Sequence, residues 1–355
     1  MSTSEQVLGP FWSRRRWLAL GCGLMLLIVA LGIGAARGSV DIPPDVVAAM
    51  VSQRLFGRPA PAGYPASWQA ILFQVRLPRV FLAALVGAAL SIAGAVYQGL
   101  FHNPLADPYL VGVSSGAGLG ATVAIYFRLQ LSWAGLGAIP IFAFLGALAS
   151  TAVIYGLARV NGKTPVTTLL LAGVAVAALL SAVTTYIWLA AADHFQAMTI
   201  LSWLMGSLAL ANWAQVRALV PYVALGTLVM LAAARALNVL QLDEDQASLL
   251  GLDVERTKLV LVAANALLTA AAVAVSGIIG FVGLIVPHAV RLVWGPDHRF
   301  LLPMSALVGG SFMIAADGLA RSVLAPAELP VGVVTAVCGV PFFLYLLRKK
   351  KQSVF

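Results

Sequence analysis

Residues 87–118 read GAALSIAGAVYQGLFHNPLADPYLVGVSSGAG. An apolar run ends near Phe101, two prolines and a carboxylate follow, and a second apolar run opens with Gly and Ser. An apolar segment of roughly 20 residues spans a bilayer core as a helix. Helices satisfy their own backbone groups there, which open strands cannot do. Asn103 and Asp107 are N-cap residue types, each followed by a proline (Pro104, Pro108) at the first helical position, where a missing N–H costs nothing. The stretch therefore predicts a tight hinge: one span stops, one turn intervenes, and a second span starts at Pro108 with a Gly/Ser face.

The rest of the chain repeats this grammar. Of 355 residues, 61% are hydrophobic and 10% charged, against about 25% charged in an ordinary soluble domain. The mean hydropathy is +0.95. These values predict an all-α, polytopic membrane protein in which lipid is the main solvent. About ten spans are expected, at Trp17–Ala36, Pro78–Leu100, Pro108–Phe127, Ala138–Ala158, Val166–Ala190, Trp213–Ala234, Leu259–Val275, Ile278–Val293, Leu301–Val323 and Val331–Leu347. Only Ser276-Gly277 separates the seventh from the eighth. Residues 1–355 read as a single transmembrane domain, with external helices at about 45–56 and 198–211 and a cytoplasmic helix at about 244–251.

Charge sets the expected orientation. Arg14-Arg15-Arg16 opens the chain, and Arg348-Lys349-Lys350-Lys351 lies near its end. Positively charged flanks favour the cytoplasmic side, so both termini are expected there, which requires an even number of spans. The net charge of +9 flanks apolar segments and forms no patch, which speaks against nucleic acid. Trp17, Trp133, Trp188, Trp213 and Trp294 fall near span ends, as interfacial anchors should. Cys22 and Cys338 read as buried small hydrophobes. The sequence Ala19-Leu20-Gly21-Cys22 faintly resembles a lipoprotein cleavage site, but the apolar run continues to Ala36, too long for a signal core.

Catalytic and ion-coupling chemistry is hard to assemble from these residues. Intramembrane ionisable groups are functional suspects because they are costly. Of 13 acids, only Asp317 lies well inside a span, with Arg321 one helical turn away to neutralise it. An ion-coupled carrier is disfavoured on that ground. A zinc-hydrolase motif and a phosphate-binding Gly-rich loop ending in Lys are absent. The four histidines are scattered, and His288 after Pro287 reads as packing.

What remains are surfaces. Gly87, Ser91, Gly94 and Gln98 share one helical face, and Gly112, Gly116 and Gly120 form a small-residue stripe. Close helix packing is the plainer reading for the glycines. A buried amide needs partners or water, so Gln98 stays open between a water-lined pathway and packing. In DEDQASLLGLDVER, residues 243–256, Asp243, Glu244 and Asp245 suit a helix start, Ala247, Leu249 and Leu250 follow, and Gly251 suits a stop. An acidic helix with an apolar side fits a protein partner better than an anionic leaflet. On the other side of the membrane, Arg76, Arg79 and Arg321 cluster where the charge rule disfavours them.

These segments, with RLPR, GVSSGAG, LLLAGVAV, WLMGSL, GIIGFVGLIVPHAVR and AELPVGVVTAVCGVPFF, resemble the permease subunit of ABC importers for ferric siderophores, haem and vitamin B12. The resemblance runs from Arg76 nearly to the end of the chain. It implies a type II importer fold with ten spans, a homodimer around a central path, two ATPases docked on the cytoplasmic side and a binding protein outside. It further implies a bacterial inner-membrane location. No cofactor belongs to this subunit; ATP and Mg act in the partner ATPase. Glu244, Asp245, Ala247, Leu249, Leu250 and Gly251 would couple to the ATPase, while Arg76, Arg79 and Arg321 would meet carboxylates of the binding protein. Asn103 and Leu105, with Val166 and Thr167, would close the cytoplasmic end of the path. The expected cargo is a ferric siderophore type of iron chelate, with haem or cobalamin as the alternative.

Overall fold

A computed structural model describes residues 14–38, 42–57 and 64–351. In chain order the helices are α1 Arg14–Ala36, α2 Pro44–Phe56, α3 Ala66–Ala70, α4 Leu77–Leu100, α5 Val113–Tyr126, α6 Ala138–Ala158, α7 Val166–Leu189 and α8 His194–Leu204. They continue with α9 Trp213–Ala232, α10 Ala234–Leu240, α11 Glu244–Leu249, α12 Val254–Ser276, α13 Val282–Trp294, α14 His298–Ser322 and α15 Val331–Lys351. A small hairpin, Ser132–Trp133 with Leu136–Gly137, joins α5 to α6. Among the described residues, seven helices are long and apolar enough to cross a membrane, and three more apolar helices are shorter.

Helix α4 is the central post. Through a π-helical segment, Ile71–Arg76, it is continuous with α3. Together they give 34 helical residues from Ser67, about 50 Å at 1.5 Å per residue, so this helix overshoots the bilayer. Of its most apolar window 78% is inside the protein, against 11% for α7. Helices α9, α12, α13 and α14 pack around it. Small residues allow that crowding. A Cβ on Gly87 would overlap the Gly309 carbonyl of α14, and one on Gly94 would overlap the Gly283 carbonyl of α13. The second stripe seats α5 on α6: Gly116 lies against Ser150 and the Gly146 carbonyl, and Gly120 against the Phe142 carbonyl.

Two crossings are broken. The third span begins as a helix at Val113, not at Pro108. Asp107 Oδ1 accepts the Tyr109 N–H (2.9 Å) and caps only a 3-10 turn, Pro108–Val111; Gly112 at φ +75 then redirects the chain. Asn103 starts no helix either: its Oδ1 accepts the Leu105 N–H (3.0 Å) and closes a turn. The second break lies between α12 and α13, where the backbone is non-helical at residues 277–280. Irregular backbone at membrane depth must find partners within the protein. The Tyr109 hydroxyl supplies them, donating to the Ile279 carbonyl (2.8 Å) and accepting the Ile279 N–H (3.2 Å), while the Ser276 carbonyl accepts the Ser207 N–H (2.8 Å). The tyrosine after the first break thus holds the second one together.

Two expectations are corrected here. The helix expected at 198–211 is α8, His194–Leu204; it starts earlier because Asp193 Oδ1 accepts the Gln196 N–H (2.7 Å). The chain then runs without helix until Asn212 and Gln215 form a capping box at the head of α9. Cys22 and Cys338 are exposed, not buried. Facing lipid, an apolar thiol gains nothing further from a protein core. Helix α11 ends at Leu249, with Leu250 as its C-cap and Gly251 at φ +84; the Leu252 N–H closes back on the Ala247 carbonyl (3.1 Å).

Candidate functional site

The cytoplasm-directed surface of the sequence reading sits at the end of the bundle that carries α11. Asp243 Oδ1 accepts the Glu244 N–H (2.7 Å), fixing the start of this short helix. Ala247 is fully buried against the body, so it anchors the helix and presents nothing outward. Leu249 and Leu250 are 88% and 66% exposed, with Leu242 also bare beside them. Asp245 is exposed. The arrangement is a small apolar knob with an acidic edge, held out from the bundle by one buried alanine.

Glu244 points back toward the body. Its Oε2 meets Lys258 Nζ at 2.6 Å, and Lys258, only 4% exposed, also reaches Glu255 Oε1 (3.3 Å) and the Thr164 carbonyl (3.3 Å). Glu255 Oε2 in turn accepts the Thr164 N–H at 2.9 Å. Thr164 lies two residues before α7 begins at Val166. Lys258 was not singled out in the sequence; the available signal was its spacing, with Glu255 at i−3 and an apolar span beginning at the next residue, Leu259.

The turn residues meet α7 nearby. Asn103 is exposed, Leu105 and Val166 are half-buried, and Thr167 is exposed. The Leu110 carbonyl lies against Gly173, which leaves no space for a Cβ, so the segment after the turn is pressed onto the first half of α7. His102 Nε2 lies 2.6 Å from the Leu240 carbonyl, tying the turn to the end of α10 just ahead of α11. Burial pushes the Asp107 carboxyl up to about 6, partly offset by the hydrogen bond from the Tyr109 N–H.

At the opposite end the arginines depart from expectation. Arg76, Arg79 and Arg321 are 4%, 6% and 9% exposed. Arg79 grips Asp317 through Nε (2.9 Å) and Nη2 (2.8 Å) and reaches Glu328 through Nη1 (2.9 Å). Arg321 Nε meets Asp317 Oδ2 at 3.1 Å, as its one-turn spacing implied, and its Nη1 donates to the Arg37 carbonyl (3.2 Å). Arg76 Nη1 donates to the Ala35 and Ala36 carbonyls at 3.1 and 2.7 Å. These three guanidinium groups are therefore held inside the protein and not presented to solvent. The desolvation of charges inside a membrane protein is tolerable only when they are paired, and α14 supplies the carboxylate. Glu328, whose side chain is 39% exposed, is the part of the cluster open to the surface.

Gln98 Nε2 donates to the Leu284 carbonyl at 3.1 Å, and Ser91 and Gln98 are 0% and 1% exposed on the core side of α4. On that face Gly87 and Gly94 lie against α14 and α13; the stripe Gly112, Gly116, Gly120 lies against α6. Among the described residues no three His, Cys, Asp or Glu side chains converge as a metal cage.

An apolar bundle with two broken crossings, in which seven of the described helices are long and apolar enough to cross a membrane, is the fold of a membrane-embedded protein. The model of the FecCD transport family matches residues 24–349, and the chain belongs to that family. It is 51% identical to the cobalamin import system permease protein BtuC of Halobacterium salinarum, over 94% of this chain and 86% of that one. It is 44% identical to the hemin transport system permease protein HmuU of Yersinia pestis, over 81% and 86%, and 37% identical to the iron(3+)-hydroxamate import permease FhuG of Bacillus subtilis, over 94% and 97%. A solved chain described as an inward-facing metal-chelate type ABC transporter superposes with a TM-score of 0.79 at 31% identity, covering 93% of this chain and 98% of that one. The protein is thus the permease subunit of an ABC importer, a transport component whose ATP hydrolysis belongs to a separate subunit.

Proposed function

We propose that two copies of this chain form the membrane path of an importer for a bulky metal chelate. In this arrangement both termini and α11 face the cytoplasm and the arginine cluster faces outward, in a bacterial inner membrane. The positive flanks at Arg14–Arg16 and Arg348–Lys351 support that orientation. Helix α7 supports the second copy: Leu169, Gly173 and Thr184 are its buried residues, while Leu171, Val174, Leu179 and Tyr186 stand bare. The turn with Asn103 and Leu105 and the start of α7 at Val166 and Thr167 form the inner gate. ATP and Mg act in the partner ATPase, and no cofactor belongs to this subunit. A binding protein docks around Arg79, where its carboxylate competes with Glu328 for the guanidinium.

The proposed cargo is a corrinoid, haem or a ferric siderophore. The 51% identity to a cobalamin import permease supports proposing a corrinoid first, ahead of the siderophore that the sequence alone favoured. The observation that carries the coupling assignment is the bare Leu249–Leu250 knob on α11. Leu249→Asp with Leu250→Asp removes its apolar character without touching buried Ala247. The permease is expected to fold normally and to lose co-purification with its ATPase. Normal co-purification would remove the docking assignment.

A further inference from the structure

The buried Lys258, on α12, touches α11, the first turn of its own helix and the loop ahead of α7. It holds Glu244 on α11, Glu255 in the first turn of α12, and the carbonyl of Thr164 in the loop ahead of α7. Glu255 holds the other backbone group of the same residue, the Thr164 N–H. One peptide segment is therefore gripped at its donor and its acceptor by an ion pair whose third member belongs to the docking helix. Resting neutralisation of two acids needs only a side chain near the carboxylates; it does not need the backbone of Thr164. Between Thr164 and α7 stands only Pro165, with an extended ψ of 135° and a ring-locked φ of −62°, a stiff connector into the first helical turn.

We infer that Glu244, Lys258, Glu255 and Thr164 form a mechanical relay that carries displacement of α11 to the start of α7. Helix α11 has six residues and rests on the body through Ala247, so it is free to shift with whatever docks on Leu249 and Leu250. Its movement pulls Lys258 through Glu244, and Lys258 with Glu255 moves the Thr164 peptide. Val166 and Thr167 follow because Pro165 transmits the motion without bending. The inference rests on the proposed docking of an ATPase at α11 and on the gate at α7. Coupling between sites requires an element with two positions that both sites bias, and the α7 start is that element here.

The test uses the complete complex with its cognate ATPase in nanodiscs. Cys22 and Cys338 are replaced by Ser, and Thr167→Cys is the reporter. Labelling of that cysteine by a charged maleimide is compared with and without ATP plus vanadate. With the relay intact, nucleotide is expected to change the labelling rate at least fivefold. Lys258→Met and, separately, Glu255→Gln are expected to reduce that change to less than twofold while the ATPase still co-purifies, and Lys258→Arg to restore it. Glu255→Gln leaves the Lys258–Glu244 contact in place and so serves if Lys258→Met does not fold. A full nucleotide response in either variant would overturn the relay, and loss of ATPase co-purification would reassign Lys258 to docking. If the relay-intact complex itself shows no nucleotide response, the gate assignment falls with the relay; detachment by the Leu249–Leu250 variant would still test the docking assignment by itself.

Discussion

Gly94→Ala places one methyl group at the tightest helix crossing in the bundle. The new Cβ would overlap the carbonyl oxygen of Gly283 and would stand 2.7 Å from its Cα, with backbone on that side and no flexible side chain to move. Restoring ordinary contact requires α4 and α13 to separate by about 1.5 Å, because well-packed interiors have no slack to absorb a methyl. The same crossing carries the hydrogen bond from Gln98 Nε2 to the Leu284 carbonyl at 3.1 Å, which the separation would stretch past useful length. Overpacking costs about 1–3 kcal/mol, and leaving a buried amide unsatisfied costs about 1–3 kcal/mol more. The expected loss is on the order of 3 kcal/mol or above, offset by only about 0.5–1 kcal/mol from the better helix propensity of Ala. Gly318→Ala on α14 is the control, since nothing lies within 4 Å of a Cβ there. Thermal unfolding of the detergent-purified protein, followed by monodisperse yield, should show Gly94→Ala lowered by several degrees and Gly318→Ala unchanged or slightly raised. Equal stability of the two variants would refute the packing argument for α4.

Arg79→Gln strands Glu328 and leaves Asp317 with Arg321 alone; breaking a buried pair this way costs about 3–5 kcal/mol. Its thermal midpoint should fall sharply and recover in part when Glu328→Gln is added, which removes the stranded acid and leaves the Asp317–Arg321 pair intact, whereas a docking-only role for Arg79 would leave the midpoint in place. Asp107→Asn keeps the cap on Tyr109 and removes a carboxylate whose pKa is raised from 3.8 to about 6. A raised carboxyl stabilises the fold fully below 3.8 and loses that contribution as pH climbs through about 6. The variant should therefore match the parent near pH 4 and exceed it at pH 8 by up to about 2 kcal/mol, after allowance for the partial exposure of the group; a variant less stable at pH 8 would overturn this. Cys22, exposed on α1, should react in intact membranes with an apolar maleimide and resist a charged one.

Hydrophobic length and local capping are properties of contiguous residues, so the spans were legible without coordinates. Helix α6 runs Ala138–Ala158 and α7 starts at Val166, as the apolar runs and Pro165 imply. The stop at Gly251 and the cap at Asp243 came from the same local chemistry. The overlooked cap at Asp193 moved the start of α8. Gly112 shows the limit of that reading: nothing local said that it would interrupt a span and not merely pack within one.

Which side of a helix meets protein, lipid or water is decided by neighbours far along the chain. Gln98 is tied to α13 because the Leu284 carbonyl is there to accept its hydrogen bond, and Arg79 became an internal ion-pair partner because α14 brings Asp317 against it, 238 positions away. Lys258 and Thr164 are 94 positions apart and meet only because α12 and the loop before α7 end at the same edge of the bundle. By itself the sequence determined that this chain lives in lipid, roughly where its long helices run, and that the Asp243–Gly251 segment forms a short capped helix, because each follows from short-range hydrophobicity and hydrogen-bond supply. The tertiary structure alone decided which polar groups are spent on the fold and which are left to act, because in a low-dielectric interior a charge or amide takes whatever partner the packing brings within 3 Å or so.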